Sequence, residues 1–292
     1  MREVKEMYDQ GANIMKLFHE LEPGATNSLR AILTSYDLQA GSYIKYVNEH
    51  PDFVNNYMGT LARLLDGMSP ASLLEAGVGE ATTLVNVLAR MENIPEQAYG
   101  FDLAWSRIAC GTEYAASKKV AAHLFVGNVM EIPITDDSFD IVYTSHTIES
   151  NRGRERDILR ELYRIARRYL VLLEPSNELG SKESQQHIEE YRYCRDLSKH
   201  AAELGYKVIE YRLYDYHWSQ RNQTSLMVIE KGLASQPGHT EFYACPACKR
   251  PLDMHKGNYY CRECFLVYPV IGGIPCLASA HGILASKYLE KA

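Results

Sequence analysis

No stretch of this 292-residue chain approaches the eighteen or so consecutive apolar residues that span a bilayer, which argues against a membrane-embedded class. The N-terminus, MREVKEMYDQ, lacks both the basic start and the apolar core of a secretory signal, so a cytoplasmic location is expected. Cysteine is scarce where a disulfide framework would need it: Cys110 and Cys194 are the only two before residue 245, and with Cys276 they follow no regular spacing. The total of seven is odd, so cross-links are not expected to hold the fold. Positive charge is also short. Residues 240–292 carry six Lys/Arg against four Asp/Glu, so the net charge of −6 leaves −8 on residues 1–239, a poor footprint for phosphate backbones. Internal repeats and low-complexity segments are absent.

What the sequence does contain begins near its end. ACPACKRPLDMHKGNYYCRECF (244–265) holds two Cys-x-x-Cys pairs, Cys245/Cys248 and Cys261/Cys264, separated by twelve residues. That spacing lets two short turns bring four thiolates around one tetrahedral ion, and structural zinc is the expected occupant, ahead of redox dithiols or an iron cluster.

Upstream, periodicity divides the chain. The first seventy residues read as helices, with Val54, Tyr57, Met58, Leu61, Leu64 and Leu65 on one stripe and Gly67 as a stop. Short apolar runs then alternate with amphipathic stretches. Strands are expected at 72–77, 98–103, 122–127, 139–146, 169–175, 207–216 and 225–231, with helices at 81–91, 105–118, 154–168 and from Glu183 to Gly205. In the 154–168 helix, Ile158, Leu159, Leu162, Ile165 and Ala166 share one face. Such alternation implies an α/β fold, a mostly parallel sheet covered on both faces. The last two strands, joined by HWSQRNQT alone, must pair antiparallel. The expected divisions are a helical cap or lid (1–69), a core (70–232), a Gly/Ser/Pro linker (233–240), a small ribbon (241–280) and a tail (281–292).

Ligands of parallel α/β sheets bind beyond the carboxyl ends of the strands. There LLEAGVGEATTL places Glu75, Gly77 and Gly79, the second strand ends at Asp102 with Leu103 beside it, and Asn128 and Val129 follow the third. A carboxylate at Asp102 suits both hydroxyls of a ribose, and Asn128 with the Val129 amide suits an adenine edge. With the antiparallel final strand, the motifs E-A-G-V-G-E-A, G-F-D, G-N-V-M-E-I-P-I-T-D-D-S-F-D-I-V and S-L-M-V-I-E-K resemble the class I S-adenosylmethionine-dependent methyltransferases over residues 70–232. The resemblance implies a Rossmann-like seven-stranded sheet and S-adenosylmethionine as cofactor. It sets Glu75 near the methionine moiety, Gly77 and Gly79 beneath it, Asp102 on the ribose, and Asn128 with Val129 at the adenine. Ala81 stands where that family has a third glycine, and Asn128 where it has an aspartate.

SHTIES (145–150) follows the fourth strand. Ser145 is expected at the cofactor rim, His146 as the general base, and Glu149 as its orienting partner or substitute. Glu174 in LLEPS is a further acceptor-side candidate, expected first as a solvated or capping carboxylate, and the tyrosines of the N-terminal helices are expected to line an acceptor pocket or pack the lid. Arg156, Arg160, Arg164 and Arg168 read as a solvated face rather than a nucleic-acid site, because acidic residues lie among them. Residues 243–278, through Y-P-V-I-G-G-I-P-C-L, resemble the zinc-ribbon activator proteins that accompany tRNA and translation-factor methyltransferases. The resemblance implies a fused stabilising partner, and a Cys261→Ser change is expected to destabilise this segment while sparing cofactor contacts. The function expected is methyl transfer to a small molecule, such as a sugar or nucleotide-sugar hydroxyl. An RNA or protein methyltransferase and a non-catalytic cofactor-binding scaffold stay open as alternatives, as does a homodimer.

Overall fold

The computed structural model describes residues 1–234 and 242–291; most of the expected linker lies outside the described residues. Helices α1 (Arg2–Asp9), α2 (Ile14–Leu21), α3 (Leu29–Leu38), α4 (Ser42–Glu49), α5 (Pro51–Phe53) and α6 (Gly59–Met68) form the N-terminal layer, with a π-helical turn at Val54–Met58. Asn13 and Ser28 start α2 and α3 by accepting the amides of Lys16 and Ala31. The predicted stripe is the buried one, Tyr57, Met58, Leu61 and Leu65 being inaccessible. Gly67 does not stop the helix. It runs to Met68 and ends at Ser69, whose φ of 47° provides the left-handed cap.

The core sheet contains β1 (Ser72–Ala76), β2 (Gln97–Asp102), β3 (His123–Val126), β4 (Phe139–Ser145), β5 (Ala166–Pro175), β6 (Lys207–Leu213) and β7 (Thr224–Glu230) in the order 3-2-1-4-5-7-6. β7 runs antiparallel to both its neighbours, as the short β6–β7 connection requires, and the other pairings are parallel. Helices α7 (Thr82–Leu88), α8 (Trp105–Lys118), α9 (Glu155–Ile165), α10 (Lys182–Glu190) and α11 (Leu197–Glu203) complete the unit.

Two elements depart from the sequence reading. α9 passes into β5 without a loop, so Ala166 is the first strand residue rather than part of the helical face. The Lys231 ammonium makes this abrupt exit tolerable by donating to the carbonyls of Tyr163, Arg164 and Ala166. The single helix expected from Glu183 to Gly205 is instead α10 and α11, broken by left-handed Arg192 and Asp196. Between them Cys194 is fully buried and donates its amide to Glu149 O at 2.6 Å. Only half of the arginine stripe is the solvated face expected: Arg156, paired with Glu203, and Arg160, paired with Asp157, are exposed, whereas Arg164, paired with Glu161 and Asp136, and Arg168, which donates to Met68 O and Ser69 O, are partly buried.

The C-terminal ribbon has β8 (Asp253–His255), β9 (Asn258–Cys261), β10 (Leu266–Tyr268), β11 (Val270–Ile271), β12 (Ile274–Pro275) and β13 (Ile283–Leu284), followed by the short helix α12 (Tyr288–Lys291). β13-β10-β9-β8 form one sheet, and β11 and β12 a separate hairpin. The ribbon is seated on the open edge of the core sheet. Leu277 donates to Val126 O at 2.8 Å, Ala244 to Pro133 O at 3.0 Å, and Thr135 to Phe242 O at 2.9 Å. Phe242 stacks on Phe139 with centroids 4.4 Å apart, and Lys249 pairs with Glu161 at 2.7 Å. Burying Phe242 alone contributes about 1.5–3 kcal/mol, and the docking covers the exposed β3 edge.

Candidate functional site

The first cleft lies where β1, β2 and β3 end. Gly77 and Gly79 have φ of +68° and +55°, and a Cβ on Gly77 would sit 2.2 Å from Thr147 Cγ2. No side chain fits that approach at that dihedral angle. Gly77→Ala is expected to cost about 2–3 kcal/mol, seen as a fall of roughly 5–10 °C in Tm by calorimetry; an unchanged Tm would show the turn to be more adaptable. Ala81 keeps the left-handed turn that a glycine would favour, with φ 55°. It is tolerated because Gly111 faces it: a Cβ on Gly111 would be 3.3 Å from that of Ala81 and 2.9 Å from the Glu80 backbone.

Asp102, at the end of β2, holds this loop in place. Its Oδ2 accepts Gly79 N–H at 3.0 Å and its Oδ1 accepts Ala104 N–H at 2.9 Å. Asn128 Oδ1 accepts the amide of Met130 at 3.0 Å, which leaves its Nδ2 as the side-chain group available to a ligand. Gly77, Asp102, Leu103, Asn128 and Val129 line the cleft together, under Leu29, Ile32 and Leu33 from the α3 region. Glu75 is fully buried, takes the Tyr143 hydroxyl at 2.7 Å, and has its pKa pushed up to about 8 by that burial. Backbone freedom, two open carboxyl or amide edges and an apolar lid thus coincide in one cleft, and they fit an adenosine-bearing cofactor.

A second cavity of about 190 Å³ adjoins the first beyond the end of β4. Ser145 Oγ lies 3.1 Å from Tyr57 Oη. His146 has φ 58°, and both its ring nitrogens are engaged: Nδ1 with Glu149 Oε2 at 2.7 Å and Nε2 with Thr224 Oγ1 at 2.8 Å. Burial alone would depress His146, but the Glu149 carboxylate, with Glu174 behind it, holds its pKa above the ordinary value. Asn222 Nδ2 also donates to Glu149 Oε2, at 3.2 Å. Oε1 is therefore the Glu149 oxygen outside these bonds, whereas both His146 nitrogens are engaged. Glu174 is not solvated. It is fully buried, its pKa is pushed up to about 7 by that burial, and it accepts the amides of Thr147, Ile148 and Glu149.

Several cavity residues escaped the sequence reading. Arg107 comes from α8, Tyr193 from the break between α10 and α11, and Trp218 and Asn222 from the β6–β7 connection. The one signal for Arg107 was an arginine five positions after the strand-end Asp102 in an otherwise uncharged helical turn. Tyr36 and Tyr43 of the lid do reach the cavity, whereas Tyr8 packs in a separate cluster with Ile14, Met15 and Phe18.

The four predicted metal ligands converge. The Sγ atoms of Cys245, Cys248, Cys261 and Cys264 all lie within 4.8 Å of one another. Tetrahedral zinc with bonds near 2.3 Å needs sulfurs about 3.8 Å apart, so the set fits a closed, structural site. Lys249 and Phe265, each directly after a Cys-x-x-Cys pair, are left-handed, and Cys264 N–H points to Cys261 Sγ at 3.4 Å.

This topology and cleft define the fold of an S-adenosylmethionine-dependent methyltransferase. Residues 73–168 match the methyltransferase domain family and residues 236–273 the Trm112p-like protein family. The chain therefore carries a methyltransferase domain followed by a Trm112p-like domain. It is 23% identical over 192 residues to ajmaline N-methyltransferase from Rauvolfia serpentina, a match covering 57% of this chain. It spans 65% of the length of that relative. Among solved structures, it is similar to a chain of the complex between the Haloferax volcanii Trm112 methyltransferase activator and a putative methyltransferase. That match has a TM-score of 0.51 and 16% identity, and covers 68% of this chain and 97% of the other. An S-adenosylmethionine-dependent methyltransferase from Aquifex aeolicus matches with a TM-score of 0.49 and 14% identity, over 65% of this chain and 97% of the other. Among the described residues, no helix is long and apolar enough to cross a membrane.

Proposed function

We propose that the protein transfers a methyl group from S-adenosylmethionine to a small-molecule oxygen or nitrogen, a sugar or nucleotide-sugar hydroxyl being one such acceptor. The carrying observation is the cavity beyond β4, which the chain itself walls with Tyr36, Tyr43, Tyr193 and Trp218. This pocket of about 190 Å³ is also lined by Glu75, Gly77 and Gly79, where the methionine end of the cofactor is expected, so the space left behind the helical lid suits a small acceptor better than a polymer. The paired arginines of α9 offer phosphates little, and the curated relative is named for methylation at nitrogen. Four cysteine thiolates suit a reducing compartment such as the cytoplasm.

Bound S-adenosylmethionine supplies an electrophilic methyl on a sulfonium. Asp102 and the glycine loop hold the nucleoside, and the aromatic walls align the acceptor and exclude water. Glu149 Oε1 takes the acceptor proton, while His146 and Asn222 fix Oε2 and so aim the free oxygen. Glu149→Gln is expected to slow methyl transfer roughly 10²–10⁴-fold while leaving cofactor affinity, followed by calorimetry, unchanged. Transfer near the wild-type rate would remove Glu149 from the chemistry.

The overall reading is tested by incubating the zinc-replete protein and methyl-labelled cofactor with separated small-molecule, RNA and protein fractions. Label in the small-molecule fraction supports it. Label confined to RNA or protein overturns the acceptor class, and tight cofactor binding with no transfer to any fraction favours a scaffold.

A further inference from the structure

His146 steadies Glu149 only as firmly as the imidazole is itself held. One end of the ring meets Glu149 Oε2, and the other, Nε2, meets Thr224 Oγ1 at 2.8 Å. Thr224 is fully buried and is the first residue of β7, 78 positions further along the chain. Its backbone has no freedom to drift: it pairs with Pro175 of β5, its N–H donates to His217 Nδ1 at 3.1 Å, and its carbonyl accepts Tyr214 N–H at 2.9 Å. His146 is tied to the same strand, donating its amide to Leu173 O at 2.9 Å. Sheet register therefore sets the span between imidazole and hydroxyl, and a group carried on strands is placed more accurately than one on a loop.

The chemistry of the contact suits a group whose charge changes. An ionised carboxylate only accepts, so Nδ1 must carry its proton to bond Glu149, and Nε2 is then an N–H in the cation and a bare lone pair in the neutral ring. A threonine hydroxyl answers both, since it accepts from the first and donates to the second. Tyr57 Oη lies within hydrogen-bond reach of Thr224 and 3.1 Å from Ser145 Oγ, so the hydroxyls can reverse together. Burial lowers the His146 pKa, and Glu149 with Glu174 of β5 more than offsets it; His217, beside Thr224, is held below its ordinary value by burial and then by His146. Arg107, Tyr36, Tyr43 and Tyr193 are the other titratable groups across the cavity.

We propose that Thr224 is a positioning residue for methyl transfer: its hydroxyl holds His146 Nε2 in either charge state, which keeps Nδ1–H on Glu149 Oε2 and leaves Oε1 to take the acceptor's proton. The assignment rests on Glu149 being the base. Packing at this strand position would be served as well by valine, which has the same shape and equal strand preference. The hydroxyl is what the site requires.

The test uses full-length, zinc-replete protein and two readouts. The first is the rate of transfer from methyl-labelled S-adenosylmethionine to whichever fraction takes up label. The second is the titration of the His146 ring by its imidazole nitrogen NMR signals, assigned by their loss in His146→Gln. Thr224→Val should slow transfer roughly tenfold with cofactor affinity by calorimetry unchanged. Its His146 should titrate at lower pH than in wild type, because the cation loses the acceptor for its buried N–H. Thr224→Ser, which restores the hydroxyl, should recover both readouts, and Thr224→Ala replaces the valine variant if that does not fold. A rate within twofold of wild type in Thr224→Val overturns the assignment. So does a slow variant whose His146 titration is unmoved, or one that serine does not rescue, since packing alone would then explain the loss. Wild-type rates in Glu149→Gln, or no transfer to any fraction, would instead show that the reaction reading has failed, and the assignment falls with it.

Discussion

Asp102→Ala should abolish measurable binding of S-adenosylmethionine and S-adenosylhomocysteine, with a loss of affinity on the order of 10²–10³-fold or more. Two consequences of one carboxylate combine in this number. Ionised hydrogen bonds to a ribose contribute about 1.5–3 kcal/mol each, and they strengthen in a cleft roofed by Leu29, Ile32 and Leu33. The same oxygens also hold the amides of Gly79 and Ala104, so alanine releases the loop on which the ligand rests. Asp102→Asn separates the two effects. It retains one accepting oxygen and loses the charge, and it should fall between wild type and alanine. Calorimetric titration of folded protein, checked by its thermal transition, makes the measurement. Affinity within threefold of wild type in Asp102→Ala would mean that the cleft does not hold a ribose.

The sequence showed those parts of the site that depend on short-range pattern. Buried strands appear as apolar runs, and the residues that close or follow each run are carried to the carboxyl edge by topology alone, which is why Glu75, Asp102, Asn128 and His146 could be placed there in advance. The cysteines were visible for the same reason, since two pairs at that spacing have few other uses. What escaped depends on contacts distant in sequence. The hydrogen bond between His146 Nε2 and Thr224, 78 residues further on, could not be seen from local pattern. The helix expected through Cys194 breaks because that residue is drawn into the core and its amide satisfies Glu149 O, a tertiary demand that outweighs local propensity. Arg107 and Trp218 lie in stretches that read as an ordinary amphipathic helix and an ordinary connection, and only the folded chain brings them to one cavity.

Removing the metal, by chelation or by Cys261→Ser, should unfold the ribbon and also weaken cofactor binding by roughly tenfold, about 1.4 kcal/mol. The first effect follows from size. Strands of two to four residues around four sulfurs bury too little to fold unaided, so metal coordination supplies their stability. The second revises the expectation that such a change would spare the cleft, because the docked ribbon braces both of its adenosine-side walls. Leu277 pairs with Val126, two residues before Asn128, and Ser279 is held by Glu131 through Oγ at 2.7 Å and its amide at 3.1 Å. On the other side, Trp105 Nε1 reaches Ile271 O at 3.4 Å from the start of α8, beside Leu103 and Ala104. With the ribbon unfolded, these segments must be ordered by the ligand itself, which lowers its affinity. Metal content, the thermal transition and cofactor titration, measured on the same chelated sample, decide the matter. Full affinity after complete metal loss would reduce the ribbon to an appendage, whereas a paired loss would make zinc a determinant of the cofactor site from outside it.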